Sequence, residues 1–149
     1  MDFSLDEKYM LIALDEAKKA ESEDEVPVGA IIVRNGEIVS RAYNTREYGK
    51  NALYHAEIKA IDEACKKLGG WRLVGCTMYV TLEPCPMCAG AIIIARVERV
   101  VFGALDVKAD AFGTMINLTD YPLFKPEITS GVLKDDCSKI LTEFFKKKR

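Results

Sequence analysis

The chain has a single histidine, His55, and a single tryptophan, Trp71, among 149 residues. With one histidine, an all-histidine metal centre is excluded, and any imidazole chemistry falls to His55. Its longest apolar run, Ala89–Ala95, is far shorter than the roughly 18 residues a membrane-spanning helix needs. The N-terminus reads MDFSLDEK, which lacks a basic stretch followed by an apolar one, so no secretory signal is expected and the expected compartment is the cytoplasm. Charge of one sign is lacking too: 21 basic residues face 23 acidic ones, for a net charge of -2. Overall charge therefore makes no case for nucleic acid, and only the closing block Lys146-Lys147-Lys148-Arg149 is strongly basic. The cysteine count is odd, at five, which argues against a disulfide framework and turns attention to metal ligation or catalysis.

What is present reads as one domain over residues 1–149, of ordinary globular composition. Ser4-Leu5-Asp6-Glu7 fits a capping box, and the Ala-, Leu- and Lys-rich segment to about Glu23 is expected to be helical. Glu21–Glu25 reads as an acidic loop. Val28–Arg34 and Glu37–Tyr43 read as strands joined by Asn35-Gly36, a pair suited to the positive φ angles of a type I′ turn. A helix is expected over His55–Leu68, stopping at Gly69-Gly70. Strand Cys76–Thr81, helix Pro86–Ala95 and strand Val97–Phe102 follow. Gly103–Asp120 reads as a long loop, with a short strand over Glu127–Ser130 and a last helix over Asp135–Lys147. The alternation implies an α/β layered domain on a mixed sheet that opens with an antiparallel hairpin. Trp71 reads as a packing residue.

Two short motifs carry chemistry: His55-Ala56-Glu57 and Pro84-Cys85-Pro86-Met87-Cys88. Cys85 and Cys88 are three apart at a strand-to-helix junction, so on a first helical turn they face the same side. The backbone N–H groups of a helix N-terminus favour thiolate, and two thiolates make half of a tetrahedral zinc site. His55, at the start of its own helix, can supply a third ligand. Cys137 stays open as a fourth, but the most economical reading leaves that position to water, as in catalytic zinc sites. Zinc lowers the pKa of bound water from 15.7 toward about 7, and Glu57 is placed to carry the protons.

The combination H-x-E followed by P-C-x-x-C resembles the cytidine-deaminase-like superfamily of zinc nucleobase deaminases. Within it the chain is similar to the bacterial tRNA-specific adenosine deaminases. The likeness is carried by Glu25-Val26-Pro27-Val28-Gly29-Ala30, by Asn44, by His55-Ala56-Glu57-Ile58 and by the stretch from Tyr79 to Ala91. Val100-Val101-Phe102-Gly103-Ala104, Asp106, Lys108 and the terminal Phe144-Phe145 extend it over nearly the whole chain.

This resemblance implies a three-layer α/β/α sandwich around a five-stranded mixed sheet. It implies one zinc ion per chain on His55, Cys85 and Cys88, with Glu57 as proton shuttle. Asn44 would hydrogen-bond a flipped adenine, and Val28 and Leu82 would wall the base pocket. Asp106 and Lys108 would lie on the nucleic-acid path, and Phe145 would contact the anticodon stem-loop. The implied reaction is hydrolytic deamination of adenosine to inosine at the wobble position of a tRNA anticodon, by a homodimer with no membrane association. Two departures, Tyr54 where the family has a small residue and Asp110 where it has glycine, motivate an alternative. That alternative is a deaminase of a free nucleobase or nucleoside, such as guanine, cytosine or cytidine, with the same zinc chemistry.

Overall fold

A computed structural model describes residues 3–105, 118 and 123–148. The first helix, α1 (Leu5–Ser22), starts on the expected capping box. Ser4 Oγ accepts from the Glu7 N–H at 3.1 Å, and the Glu7 carboxylate accepts from the Ser4 N–H at 2.9 Å. Such a box satisfies two of the donors a helix start otherwise leaves orphaned. At its other end the chain turns through Asp24, at φ +62°. The Glu25 N–H returns to the Ala20 carbonyl and the Asp24 N–H to the Glu21 carbonyl, the paired bonds of a Schellman stop.

Strands β1 (Gly29–Arg34) and β2 (Glu37–Tyr43) form the expected hairpin, with Asn35 and Gly36 at φ +51° and +76°. The register slips between Ile32 and Val33, a bulge that leaves Val39 without a partner on β1. Next come α2 (Ala56–Leu68), β3 (Cys76–Leu82), α3 (Pro86–Ile94), β4 (Arg99–Ala104), β5 (Glu127–Thr129) and α4 (Lys134–Lys147). The sheet order is β2-β1-β3-β4-β5. β1 is antiparallel to both β2 and β3, and the pairs β3–β4 and β4–β5 are parallel.

Helices cover both faces, so the strands are apolar on both sides. Ile31, Val33, Tyr79 and Val101 pack under α1 and α4 with Met10, Leu14, Cys137 and Ile140. Ala30, Ile32, Met78, Val80, Val100 and Phe102 pack under α2 and α3 with Ala56, Ala60, Ala64 and Ile92. This is the three-layer α/β/α sandwich on a five-stranded mixed sheet. Gly29 lets α1 sit close: a Cβ there would overlap the backbone at Ala13 and Ala17.

The strand β4 starts two residues later than the sequence suggests, and the reason is local. Arg96 takes φ +63° after α3, and the Val97 N–H closes that helix on the Ile92 carbonyl. Val97 therefore spends its donor on a second Schellman stop rather than on the ladder. The sheet continues instead through Gly103 and Ala104, and Leu82 pairs with Ala104. Trp71 departs from its expected packing role. It is half exposed, with the Arg72 guanidinium 4.2 Å from its ring. No helix among the described residues is long and apolar enough to cross a membrane.

Candidate active site

The C-terminal end of β3 and the N-termini of α2 and α3 converge on one cavity of about 630 Å³. His55 is the N-cap of α2 and Cys85 the N-cap of α3, both in extended backbone. Pro86 follows Cys85 at the first helical position, where its missing N–H costs no hydrogen bond. Cys88 lies one turn on and is fully buried. His55 Nδ1 stands 3.7 Å from Cys85 Sγ and 3.5 Å from Cys88 Sγ. The three ligand atoms all lie within 4.8 Å of one another, and among the described residues no fourth histidine, cysteine or acid joins them.

These separations can be tested against zinc. Tetrahedral bonds of roughly 2.05 Å to nitrogen and 2.3 Å to sulfur set an N···S separation of about 3.5–3.6 Å. The two observed distances bracket that value, so the imidazole stands at zinc spacing from both sulfurs. The donor set, one imidazole and two sulfurs, also matches a centre with one position left for solvent or substrate. Cys137 does not supply a fourth ligand: it is buried against Gly103 in the core under α1 and α4.

The electrostatics suit a cation. Hydrogen bonding from Cys88, with a further bond from His55, pulls the Cys85 thiol down to about 4. Cys88 goes the other way, because it donates to Cys85 and is deeply buried. The hydrogen bond with Cys85 raises His55 above its ordinary value. The hydrogen bonds at Cys85 thus favour its thiolate, the form that ligates a metal.

Glu57 sits in the first turn of α2 and is 4% exposed. Burial raises its carboxyl to about 7, and the nearby Cys85 adds to the rise. Its Oε1 is buried with no hydrogen-bond partner. Buried polar atoms are nearly always paired, so this unpaired oxygen, on a residue that lines the cavity, is available to a bound group.

Val28, Leu82 and Asn44 line this cavity with His55, Glu57 and Cys85, and Phe145 reaches it from α4. Asn44 is already half committed: Nδ2 donates to the Val26 carbonyl at 3.2 Å, and Oδ1 accepts from the Arg46 N–H at 3.2 Å. An amide has two donors and two acceptor positions, so one of each is left for a ligand. Asp106, Lys108 and Asp110 lie outside the described residues. Tyr54 is not among the lining residues; its ring lies against Gly49.

The structure adds residues that the motifs did not single out for a role. Val26, Arg46, Leu105, Leu141 and Thr142 also line the cavity. The apolar spacing of Cys137, Ile140, Leu141 and Phe144 marks one face of α4 as buried, but not that its edge would border the site.

Comparison with known proteins agrees with this geometry. Residues 3–104 match the cytidine and deoxycytidylate deaminase zinc-binding region. The chain belongs to this family of zinc-dependent deaminases. Within it, the chain is 55% identical over 146 residues to the tRNA-specific adenosine deaminase of Bacillus subtilis (strain 168), covering 97% of this chain and 91% of that protein. One similar solved structure comes from studies of A-to-I editing by tRNA:A34 deaminases at the wobble position of transfer RNA. It has a TM-score of 0.87 at 40% identity and covers 90% of this chain and 99% of the other. Guanine deaminase from Bacillus subtilis matches less fully, with a TM-score of 0.65 at 36% identity over 70% of this chain and 66% of that one.

Proposed function

We infer that this chain deaminates adenosine to inosine at the wobble position of a tRNA anticodon. The observation that carries the chemistry is the orphaned Oε1 of buried Glu57 beside the His55–Cys85–Cys88 cluster. The choice of substrate rests on the similarity over nearly the whole length to the tRNA-specific deaminase and to the A34 deaminase structure. His55, Cys85 and Cys88 would hold one zinc ion. When bound, zinc supplies a Lewis acid that makes water acidic near neutral pH and stabilises charge developing on oxygen.

The remaining work falls to this chain's side chains. Glu57 takes a proton from the attacking water and passes it to N1 of adenine, next to the carbon under attack. It then carries a proton to the departing amine, so that adenosine and water give inosine and ammonia. Glu57 is buried in the first turn of α2 and lines the cavity beside His55 and Cys85, within the site where a proton carrier is needed. Asn44 offers its spare N–H and carbonyl lone pair to the base edge. Val28 and Leu82 provide apolar walls, which reward a base that has left its stack. A cavity of about 630 Å³ falls within the usual range for small-molecule sites, roughly 300–1,000 Å³. Phe145 is half exposed at its rim, placed to stack on a neighbouring nucleotide.

Asp106 and Lys108 are assigned to the RNA path by resemblance. A homodimer is part of the same reading. The deciding experiment is nucleoside analysis of a tRNA bearing adenosine at the wobble position after incubation with zinc-loaded protein. Inosine should appear with wild type and not with Glu57→Ala, which should still hold zinc. Turnover of free guanine, cytosine or cytidine without inosine in RNA would overturn the substrate assignment.

A further inference from the structure

Glu25 lies in a stretch that reads as solvated acid, yet it is 1% exposed. Its backbone is fixed by the Schellman stop of α1 through the bond to the Ala20 carbonyl. Its carboxylate faces the β2–α2 connection. One oxygen accepts from the Glu47 N–H at 3.0 Å, and the other accepts from the Tyr48 N–H at 2.6 Å. Burying a carboxylate is costly unless its oxygens are satisfied, and two backbone donors satisfy these. Glu47 and Tyr48 are themselves exposed, Tyr48 by 79%, so side-chain packing does little to hold this part of the loop.

Both strands of chain joined by this clamp border the active-site cavity. Val26 follows Glu25, Arg46 precedes Glu47, and each lines the cavity. Asn44 ties the same two strands together through the Val26 carbonyl and the Arg46 N–H. Lys59 props the start of the connection from α2, donating to Thr45 Oγ1 at 3.0 Å. The free side-chain positions of Asn44 and the backbone of Arg46 are therefore located by groups that never touch the reacting atoms.

We propose that Glu25 is a positioning residue whose carboxylate pins the Asn44–Arg46 wall, so that the cavity accepts a purine nucleoside without first ordering that loop. The proposal rests on the purine-deaminase reading above and deepens it, since a wall fixed in advance lowers the ordering cost of binding. Glutamine at this position keeps only one acceptor oxygen and turns an N–H₂ toward a backbone N–H, so at most one clamp bond survives. Aspartate is too short by one methylene to reach both amides.

The test uses the full-length, zinc-loaded protein. In Glu25→Gln, amide hydrogen exchange at Glu47 and Tyr48 should quicken by about tenfold or more while β1 and α2 keep their protection. The dissociation constant for purine riboside, a nucleoside with no amine to lose, should rise by about tenfold. In an Asn44→Ala background the same change should cost less than about twofold, because both residues act through one wall. Glu25→Asp should repeat the pattern if the glutamine variant folds poorly. Unchanged exchange at Glu47 and Tyr48 would overturn the proposal, and so would an equal affinity penalty with and without Asn44. Failure of wild type to bind purine riboside would overturn the proposal. Inosine formation in tRNA by wild type, measured alongside, reports on that reading alone.

Discussion

Removing the metal should cost this protein a large share of its stability, and the size of that loss can be worked out beforehand. The His55 imidazole already stands at zinc spacing from both sulfurs. An ion bound only by the folded state stabilises it by about 2.7 kcal/mol at one hundred times its dissociation constant and about 4.1 at one thousand times. Unfolding entropy near 2.1 cal/mol/K per residue gives about 0.31 kcal/mol/K for 149 residues. Saturating zinc should therefore raise Tm by about 9–13 °C over the chelated protein, read by calorimetry with matched buffers. Cys88→Ser should abolish most of that shift, since it removes the buried sulfur. Glu57→Gln should keep the shift while losing deamination, which separates holding the ion from using it. A chelator that leaves Tm unmoved would refute the reasoning, as would a Cys88→Ser protein that responds to zinc like wild type.

Other consequences are as direct. Gly29→Ala drives a methyl group into the α1 backbone, so calorimetry should show a loss of about 1–3 kcal/mol or more. Phe145→Ala should raise KM for an anticodon stem-loop by about 5- to 150-fold, the equivalent of about 1–3 kcal/mol of lost stacking, and leave zinc content unchanged. Asp6 accepts two bonds from the Arg99 guanidinium, at 2.9 and 2.7 Å, and one from the Tyr79 hydroxyl, at 2.8 Å. The Arg99 bonds hold the Asp6 carboxyl below its ordinary value. Its contribution is then complete above the unfolded value of about 3.9 and is lost as pH falls through the lower folded one. Denaturant titrations should find Asp6→Asn less stable by about 1–3 kcal/mol at pH 6, with the gap closing below about pH 4.

Local patterns proved easy to read from the chain, and long-range ones did not. The capping box at Ser4 and Glu7 and the turn at Asn35-Gly36 are decided within four residues, so their chemistry is written next to their position. The metal cluster was legible for another reason. Few residue types hold zinc, and only one histidine was there to choose. Glu25 was illegible because charge in an acidic run reads as solvated, and its burial depends on amide donors some twenty residues away. The wall built by Leu141 and Thr142 was hidden likewise, since nothing within α4 says which neighbour it will meet. The placing of β1 between β2 and β3 is a pairing choice across dozens of residues, which no nearby periodicity records.

His55 and Cys85 each open a helix, and both helices point their first turns at the same spot. The selective surfaces come from elsewhere, from the segment after β2 and from the far end of the chain. Reactivity and taste are thus housed in different parts of the molecule. A lineage could exchange one customer for another by rewriting the borrowed walls, while the engine bolted to the sheet stays as it is.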